Sequence, residues 1–488
     1  MDNIAEGVMN FKKLEEVIFS ALCKVGCQII AEYIRSWDQI LMSRRDTNEY
    51  RCVGVRPTSI KSIMGEAPYK RHYYRKKSGE HVFLLDEAMG IGDGYGLVSE
   101  KLAEQIIIEC SEKSFRKAAE SISSLTGQTI SRMGVWQVVQ TFGERVKMQE
   151  ERLEELDNEG STGQLGNIAC PAIFTEFDDV WLNMQREKRQ KVGTPAAKAR
   201  KRIGKRPMHI GTAYTGWAQK KDGSYETADK FAYAAFSESK DFISTFEALL
   251  RHRFDMDGVE LMLVNGDGEG WIKTVAENNN AVLQLDPFHR SQAIMRAVKD
   301  KDERKKLSDA LGEKDVGKAL DVICTLIGKT SDVPSLKRLE ALLIYFDGNK
   351  DNLLPWQERG LRIPAAPEGI VYRNMGVQEH NNCDLITQRM KHRKGSWSRG
   401  GANNMAKALC LRSTIGLDAM LGFLPEPSAA NAPVEPLSAA KTPLYDGKGY
   451  DASWLHAAMP FEQAFVTGGR EAIRMMLRPR PLSDRAFL

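Results

Sequence analysis

The chain has 488 residues, of which 27% are charged, and its formal net charge is only +4. This length allows two or more domains with a sizeable buried core. The near-neutral balance excludes a uniformly basic protein, so a nucleic-acid site would have to depend on local clusters of charge. The eight cysteines form no Cys-x-x-Cys pair, which argues against a zinc ribbon or thioredoxin motif and fits a reducing cytoplasm.

Residues 1–55 are predicted to form an N-terminal amphipathic helical region. Apolar side chains recur at helical spacing within residues 10–45, which indicates one long helix. Charged residues interrupt the apolar stripe, so we expect a packing or dimer face and no stretch apolar enough to span a membrane. We also expect no signal peptide, because the first residues lack a basic start and an apolar core.

Residues 56–98 change to an alternating pattern, which predicts a small antiparallel β element followed by a glycine-rich linker. Basic side chains alternate with tyrosines in residues 69–77, a pattern typical of a phosphate-binding surface or, equally, of a solvated strand face. Residues 90–96 lack the glycine spacing of a dinucleotide-binding loop, and we interpret them as the linker.

Residues 99–160 are predicted to be helical and to contain a helix-turn-helix-like DNA-binding region. Gly127 falls where the turn between the two helices needs a small residue. Arg132 and Gln137 would lie on the second helix, free to face the major groove of DNA. An ordinary helical hairpin would give the same pattern.

Strands alternate with helices between residues 166 and 290. Three consecutive strands are followed by helix, strand, helix and strand. Asp178 ends the first apolar strand, and Asp267 follows the fourth. This order of elements, with acids at these two places, is that of a ribonuclease-H-like fold.

A third acid, Glu379, precedes a basic stretch. Its separation from Asp267 (379 − 267 = 112 residues) is too long for the simple fold, and residues 291–369 have a helical pattern. We therefore expect residues 291–369 to be a helical insertion into a core formed by residues 166–290 and 370–425. Carboxylates are the ligands that hard cations prefer, so three of them can hold two divalent ions over a phosphodiester.

Four segments of the chain resemble bacterial insertion-sequence transposases of the DDE class, most closely the ISLre-type family, also catalogued as an uncharacterised protein family. The resemblance covers about residues 10–425 and is related to that of Mutator-like transposases through Asp286-x-x-His289. The motifs are Glu176-Phe-Asp-Asp-Val-Trp, Asn265-Gly-Asp-Gly-Glu-Gly-Trp-Ile-Lys, Leu285-Asp-Pro-Phe-His and Ser396-Trp-Ser-Arg-Gly-Gly-Ala.

The resemblance implies an α/β ribonuclease-H-like catalytic core with a mixed five-stranded sheet, in which Asp178, Asp267 and Glu379 bind two Mg²⁺ or Mn²⁺ ions. His289 would contact the scissile phosphate or be a buried, hydrogen-bonded histidine. The implied activity is metal-dependent DNA cleavage and strand transfer at the ends of an insertion sequence. The implied partners are double-stranded DNA, as terminal inverted repeats and as target, and further copies of the chain in a homodimer or higher oligomer. The implied location is the bacterial cytoplasm, at the nucleoid, without a membrane.

Two basic runs flank the acids. Residues 186–206 contain ten Lys or Arg and one acid, and a second run follows Glu379. Such runs are usually solvated faces, but two of them beside an acidic cluster predict a DNA channel. The side chains predicted to contact DNA there are Lys198, Arg200, Lys201, Arg202, Arg389, Arg393 and Trp397.

Residues 426–488 are predicted to be a Pro/Ala-rich linker and a basic tail. Two alternative functions remain open. One is a catalytically inactive, domesticated transposase that acts as a DNA-binding protein. The other is a phosphotransferase with an aspartyl nucleophile, which expects Asp-x-Asp after the first strand, whereas this chain has Asp178-Asp179.

Overall fold

The computed structural model of the protein describes residues 11–90, 97–160, 166–185, 204–392 and 395–422. The predicted linker and tail at residues 426–488 lie outside these ranges. So do five of the residues predicted to bind DNA, namely Lys198, Arg200, Lys201, Arg202 and Arg393.

The N-terminal helix α1 spans Phe11–Arg44, in agreement with its helical spacing. Cys23, Ala31 and Ile34 on one side are buried, whereas many other apolar side chains, such as Leu22 at 62% exposure, face outward. By length and composition alone, α1 is long and apolar enough to cross a membrane. This corrects the expectation that no stretch meets that criterion, and the absence of a membrane partner stays a prediction.

An antiparallel hairpin follows α1 and packs against it. Its members are β1 (Tyr50–Ser62), β2 (Gly65–Lys76), the short strand β3 (His81–Val82) and helix α2 (Leu84–Ala88). The register pairs the first residue of β1 with the last of β2, and the tight turn lies at residues 63–64. A turn at residues 77–79 connects β2 to β3.

Three helices follow, each started by a serine whose side chain accepts a backbone N–H group. They are α3 (Glu100–Glu112), α4 (Phe115–Leu125) and α5 (Arg132–Asn158), and their capping residues are Ser99, Ser114 and Ser131. Their apolar sides form one core with a face of the central sheet, so this helical region is built onto the sheet.

The central sheet has five strands in the order β12-β11-β5-β6-β9. The strands of this part of the chain are β4 (Ile168–Ala169), β5 (Ala172–Met184), β6 (Gly204–Tyr214), β7 (Gly216–Gln219), β8 (Tyr225–Ala228), β9 (Phe231–Ala235), β10 (Phe254–Asp255), β11 (Leu261–Gly266) and β12 (Val282–Leu285). Strands β5, β6 and β9 are antiparallel, whereas β5, β11 and β12 are parallel. Helix α6 (Ser239–Arg253) lies between β9 and β11, and α7 (Gly270–Asn278) between β11 and β12. The predicted mixed five-stranded sheet and its order of elements are confirmed.

A group of helices follows β12 and has an apolar core of its own. These are α8 (Pro287–Ala297), α9 (Lys301–Gly312), α10 (Val316–Lys329) and α11 (Val333–Asp347). The predicted start of the insertion, residue 291, falls inside α8, so the helical part begins directly after the last strand of the sheet.

The chain then returns to the sheet. It forms β13 (Ile370–Val371), α12 (Gln378–Asn382), a π-helix (Cys383–Lys391) and α13 (Arg399–Gly422), which kinks at Gly416. Helix α13 packs against α5 and β9, and α12 contacts β5 and β6. The return brings Glu379 to the face of the sheet that carries the first two acids.

Candidate metal centre

Asp178 on β5 and Asp267, just after the neighbouring parallel strand β11, occupy matching positions. Strands β5 and β11 pair with Glu176 opposite Asn265, and the next side chain on the same face lies two residues further along each strand. Asp178 is therefore level with Asp267, which directly follows β11. Gly268 has a φ of +88°, which favours glycine and lets the chain turn away immediately after the acid.

Glu379 approaches from helix α12. Gly376, just ahead of this helix, has a φ of +125°, so the sharp entry into α12 favours a residue without a Cβ. A π-helix continues the chain, as the bond from the His392 N–H group to the Thr387 carbonyl oxygen at 2.9 Å illustrates. Such turns are frequent at functional sites.

His289 comes from the first turn of α8. Its Nε2 atom lies 3.7 Å from Asp178 Oδ2. Burial acts to lower the pKa of His289, but the close contact with the negatively charged Asp178, with the charges of Asp286 and Asp267, outweighs burial and raises it. The acidic surroundings therefore favour the protonated imidazole.

Asp178, His289 and Glu379 form a group that could hold a metal ion. One potential ligand atom from each residue lies within 4.8 Å of the other two. Asp267 does not belong to this group, and its carboxylate accepts the backbone N–H of Glu269 at 2.9 Å. The structure thus brings two of the three predicted acids together with the predicted histidine and leaves the third acid alongside.

The neighbouring acids repel one another. Burial raises the pKa of Asp267, and the charges of Asp178 and Asp179 raise it further. Burial, followed by the charge of Asp178, likewise raises the pKa of Glu379. A bound divalent cation would relieve this repulsion, because opposite charge favours the ionised carboxylates.

Asp179, the neighbour of Asp178, lies on the opposite face of β5. Its Oδ1 atom is 2.6 Å from His209 Nδ1, and His209 Nε2 is 3.2 Å from Ser239 Oγ. The His209 ring also contacts the Trp271 ring, at 4.7 Å between centroids. Strand alternation thus separates the two aspartates and leaves Asp178 with the other predicted ligands.

A fully buried carboxylate, Glu176, lies on the same face of β5 as Asp178. Its oxygens accept hydrogen bonds from Tyr214 Oη at 2.5 Å, Asn265 Nδ2 at 3.0 Å and the backbone N–H groups of Gly376, Val377 and Gln378 at 3.0, 3.2 and 3.1 Å. Burial raises the pKa of Glu176, and the bonds from Tyr214, Gly376 and Val377 oppose that shift. An acid within the largely apolar run of residues 172–177, ahead of Asp178, was the available sequence signal for this residue.

A chain of side-chain hydrogen bonds ends at Asp178. Asn382 Nδ2 donates to Asp178 Oδ2 at 2.6 Å, and Gln378 Nε2 donates to Asn382 Oδ1 at 2.8 Å. Thr212 Oγ1 donates to Gln378 Oε1 at 2.7 Å. Sequence reasoning missed Gln378 and Asn382, although their spacing of four on one helix predicts that they face the same way.

Arg389 and Trp397, both predicted to contact DNA, are buried, and this corrects their assignment to a DNA surface. Arg389 is 7% exposed, and its Nε–H donates to the Cys110 carbonyl oxygen at 2.5 Å. Its guanidinium lies over the rings of Phe115 and Trp397, at 5.2 and 5.4 Å from their centroids. Trp397 Nε1–H donates to the Met390 carbonyl oxygen at 3.0 Å. Both side chains join helix α4 to the sheet.

Arg132 and Gln137, predicted to read DNA bases, are both exposed near the start of α5. Val135, which lies between them in sequence, and Val138, which follows Gln137, are buried in the core shared with the sheet. One side of α5 is therefore fixed by packing, and the side with the two candidate residues is open.

Residues 4–419 match the model of an uncharacterised protein family, UPF0236. The chain belongs to this family. A UPF0236 protein in the vanSb 3′ region of Streptococcus gallolyticus is 22% identical over 405 residues, which cover 81% of each chain. A UPF0236 protein of Caldanaerobacter subterraneus subsp. tengcongensis is 22% identical over 413 residues, covering 83% of this chain and 78% of the relative.

Two solved structures are similar to this UPF0236 chain at a low level. A pre-cleavage Mos1 transpososome is 14% identical and covers 52% of this chain and 79% of its own, with a TM-score of 0.13. A Mos1 mariner paired-end complex with Mn is 13% identical over 52% and 79% of the two chains, also at 0.13.

Proposed function

We propose that the protein is a DDE-type DNA transposase of the ISLre-type insertion-sequence family, which cleaves DNA and transfers strands with two divalent metal ions. The observation that carries the proposal is the grouping of Asp178, His289 and Glu379 within 4.8 Å, with Asp267 level with Asp178 on the next strand. The sheet order, three antiparallel strands and then two parallel ones joined by helices, supports a ribonuclease-H-like core.

The donor set fits a divalent cation. Asp178, Asp267 and Glu379 offer the carboxylate oxygens that Mg²⁺ and Mn²⁺ prefer, and we propose that these three residues hold the two ions. The raised pKa values of Asp267 and Glu379 support this, because both carboxylates gain from a nearby positive charge. Two bound ions would stabilise the attacking and leaving oxygens of a phosphodiester.

His289 has a different role in this proposal. Burial lowers the pKa of His289, but the neighbouring negative charges raise it on balance, and a protonated imidazole can donate a hydrogen bond. We propose that His289 donates through Nε2, which at 3.7 Å from Asp178 Oδ2 is beyond hydrogen-bond distance from it, to an oxygen of the scissile phosphate.

DNA contacts would come from two other parts of the chain. The exposed Arg132 and Gln137 on α5 would read bases in the terminal inverted repeats, since base readout needs a helix in the major groove. The basic run at residues 186–206 would bind phosphates of repeat and target DNA without reading sequence. We further propose that a homodimer or higher oligomer brings two DNA ends together in the bacterial cytoplasm.

The test is nicking of a duplex that carries the inverted repeats flanking the gene, by the full chain with Mg²⁺ or Mn²⁺. We expect cleavage that a chelator abolishes and that Glu379→Gln reduces to background, with DNA binding retained. Binding of the same duplex without metal-dependent cleavage would instead identify an inactive, domesticated transposase that acts as a DNA-binding protein.

A further inference from the structure

Buried polar groups behind the proposed site are joined by hydrogen bonds into one network. Each of the four proposed site residues comes one to three positions after a member of this network in the sequence. The pairs are Glu176 with Asp178, Asn265 with Asp267, Asp286 with His289, and Gln378 with Glu379. We infer that this buried network fixes the spacing of the site side chains, which makes Glu176 and Asn265 positioning residues of the metal centre. The inference rests on the proposed function, because it assigns the network to the same site.

Asn265 is the centre of the network and is fully buried. Its Nδ2 group donates to Glu176 Oε2 at 3.0 Å and to Asp286 Oδ2 at 2.6 Å, and its Oδ1 accepts from Gln284 Nε2 at 3.1 Å. One amide group therefore joins two buried carboxylates, using one N–H for each. This bridge joins β5, β11 and the end of β12 at positions two residues before Asp178 and Asp267.

Glu176 extends the network to helix α12. Its carboxylate accepts the backbone N–H groups of residues 376–378, which are left without intrahelical partners at the start of the helix. Glu379 is the next residue in the chain. The position of Glu379 relative to Asp178 is therefore set by a side chain only two residues before Asp178 on β5.

Asp286 extends the network to helix α8. Its Oδ1 accepts the N–H groups of Phe288 and His289 at 2.8 and 3.2 Å, while its Oδ2 binds Asn265. The first turn of α8, with His289, is thereby fixed to β11. The network reaches all four elements that carry the site residues.

The composition of the network favours a positioning role over a purely stabilising one. Within the described residues, the five donors to Glu176 are neutral groups, so its buried charge is compensated by hydrogen bonds. Buried charges are a weak source of stability, because apolar residues of similar volume often stabilise a core as well or better. Hydrogen bonds fix direction as well as distance, which a metal site requires of the groups behind its ligands.

The experiment compares Mn²⁺ binding by the full chain and by Glu176→Gln, using isothermal titration calorimetry without DNA. The substitution keeps the size and shape of the side chain. It replaces one carboxylate oxygen, a hydrogen-bond acceptor, with an NH₂ group that would face the Gln378 N–H or the Asn265 amide. We expect Mn²⁺ affinity to fall about 10- to 100-fold, as for other groups that orient metal ligands. The Mn²⁺ concentration for half-maximal nicking should rise by a similar factor.

Glu150→Gln is the matched control. Glu150 is a largely buried carboxylate paired with Lys407, and the pair joins α5 to α13 outside the proposed site. This variant should lower the melting temperature and leave Mn²⁺ affinity unchanged. If Glu176→Gln does not fold, Asn265→Ser replaces it, because the shorter side chain cannot bridge both carboxylates and should weaken Mn²⁺ binding in the same way.

The outcomes separate the two levels of the proposal. Wild-type Mn²⁺ affinity in Glu176→Gln or Asn265→Ser, with an active wild-type chain, overturns the positioning role alone. Equal weakening in Glu150→Gln overturns it too, because the effect would then be general destabilisation. A wild-type chain that neither binds Mn²⁺ nor nicks DNA overturns the proposed function itself.

Discussion

The acid-bearing edge of the central sheet and the helix pair α4–α5 use polar residues in opposite ways. At the sheet edge, Glu176, Asn265 and Asp286 are buried and hydrogen-bonded to one another. In α4–α5, the buried side chains are almost all apolar, and Arg132 and Gln137 are exposed. A metal centre needs ligands held at fixed distances, whereas a DNA-reading helix needs a rigid base and free side chains. The two regions differ in the way that the proposed metal site and the proposed DNA-reading helix require.

The largest expected effect on stability belongs to the helical region. Phe142→Ala on α5 removes a fully buried aromatic ring from the core shared with the sheet. We expect the free energy of unfolding to fall by about 3–5 kcal/mol, because of lost burial and the cavity that remains. Urea denaturation would measure this. Met148→Ala, at a 68% exposed position of the same helix, is the control and should change stability little.

The same substitution tests whether the helical region and the metal centre are independent. Under conditions where Phe142→Ala is still folded, its Mn²⁺ affinity should equal that of the wild-type chain, since the ring is not part of the buried polar network. A parallel loss of Mn²⁺ affinity would show that the two regions are not independent.

A smaller effect is expected on DNA specificity. Arg132→Ala should lower the preference for terminal-repeat over random DNA by about 1–3 kcal/mol, the range for one good base contact. Fluorescence anisotropy at physiological salt would measure both affinities. Arg152→Ala, at an exposed position further along α5, is the control. Equal effects of the two substitutions would show that α5 contributes charge and no base readout.

The smallest effect concerns pH and the metal-free site. The pKa of Glu379 is raised in the folded protein, so the folded chain binds protons at this residue more tightly than the unfolded chain. Ionisation of Glu379 therefore destabilises the folded chain as pH rises through that raised pKa. Glu379→Gln should therefore be more stable than the wild-type chain at neutral pH, by less than about 1 kcal/mol because the side chain is exposed. The difference should vanish below the ordinary glutamate pKa of about 4.3.

Thermal unfolding in chelator across pH 4 to 8 would measure this difference. Addition of Mn²⁺ should reverse its sign at neutral pH, since a bound ion stabilises only the chain that binds it. A wild-type chain that is more stable than Glu379→Gln in chelator at every pH would contradict mutual repulsion of the acids.

The sequence predicted the order of strands and helices along the chain and the positions of Asp178 and Asp267 at strand ends. Both depend on local patterns, namely apolar strands, alternation and an acid at a strand end. It could not reach the bonds from Glu176 to residues 376–378, since partners 200 residues apart leave no local periodicity. It misassigned Arg389, because a basic residue beside aromatic ones looks the same in sequence whether it faces solvent or packs under a helix. His289 was found through the resemblance of Asp286-x-x-His289 to a transposase motif, and in the structure Asp286 caps the helix that carries His289.

The metal centre itself can be tested with the adjacent substitutions Asp178→Asn and Asp179→Asn. The two side chains lie on opposite faces of β5, one with Glu379 and His289, the other 2.6 Å from His209. The measurement is Mn²⁺-dependent nicking of terminal-repeat DNA by folded protein. We expect Asp178→Asn to reduce nicking to background and Asp179→Asn to retain it within about tenfold. Nicking retained by Asp178→Asn would contradict the metal centre assigned to this face of the sheet.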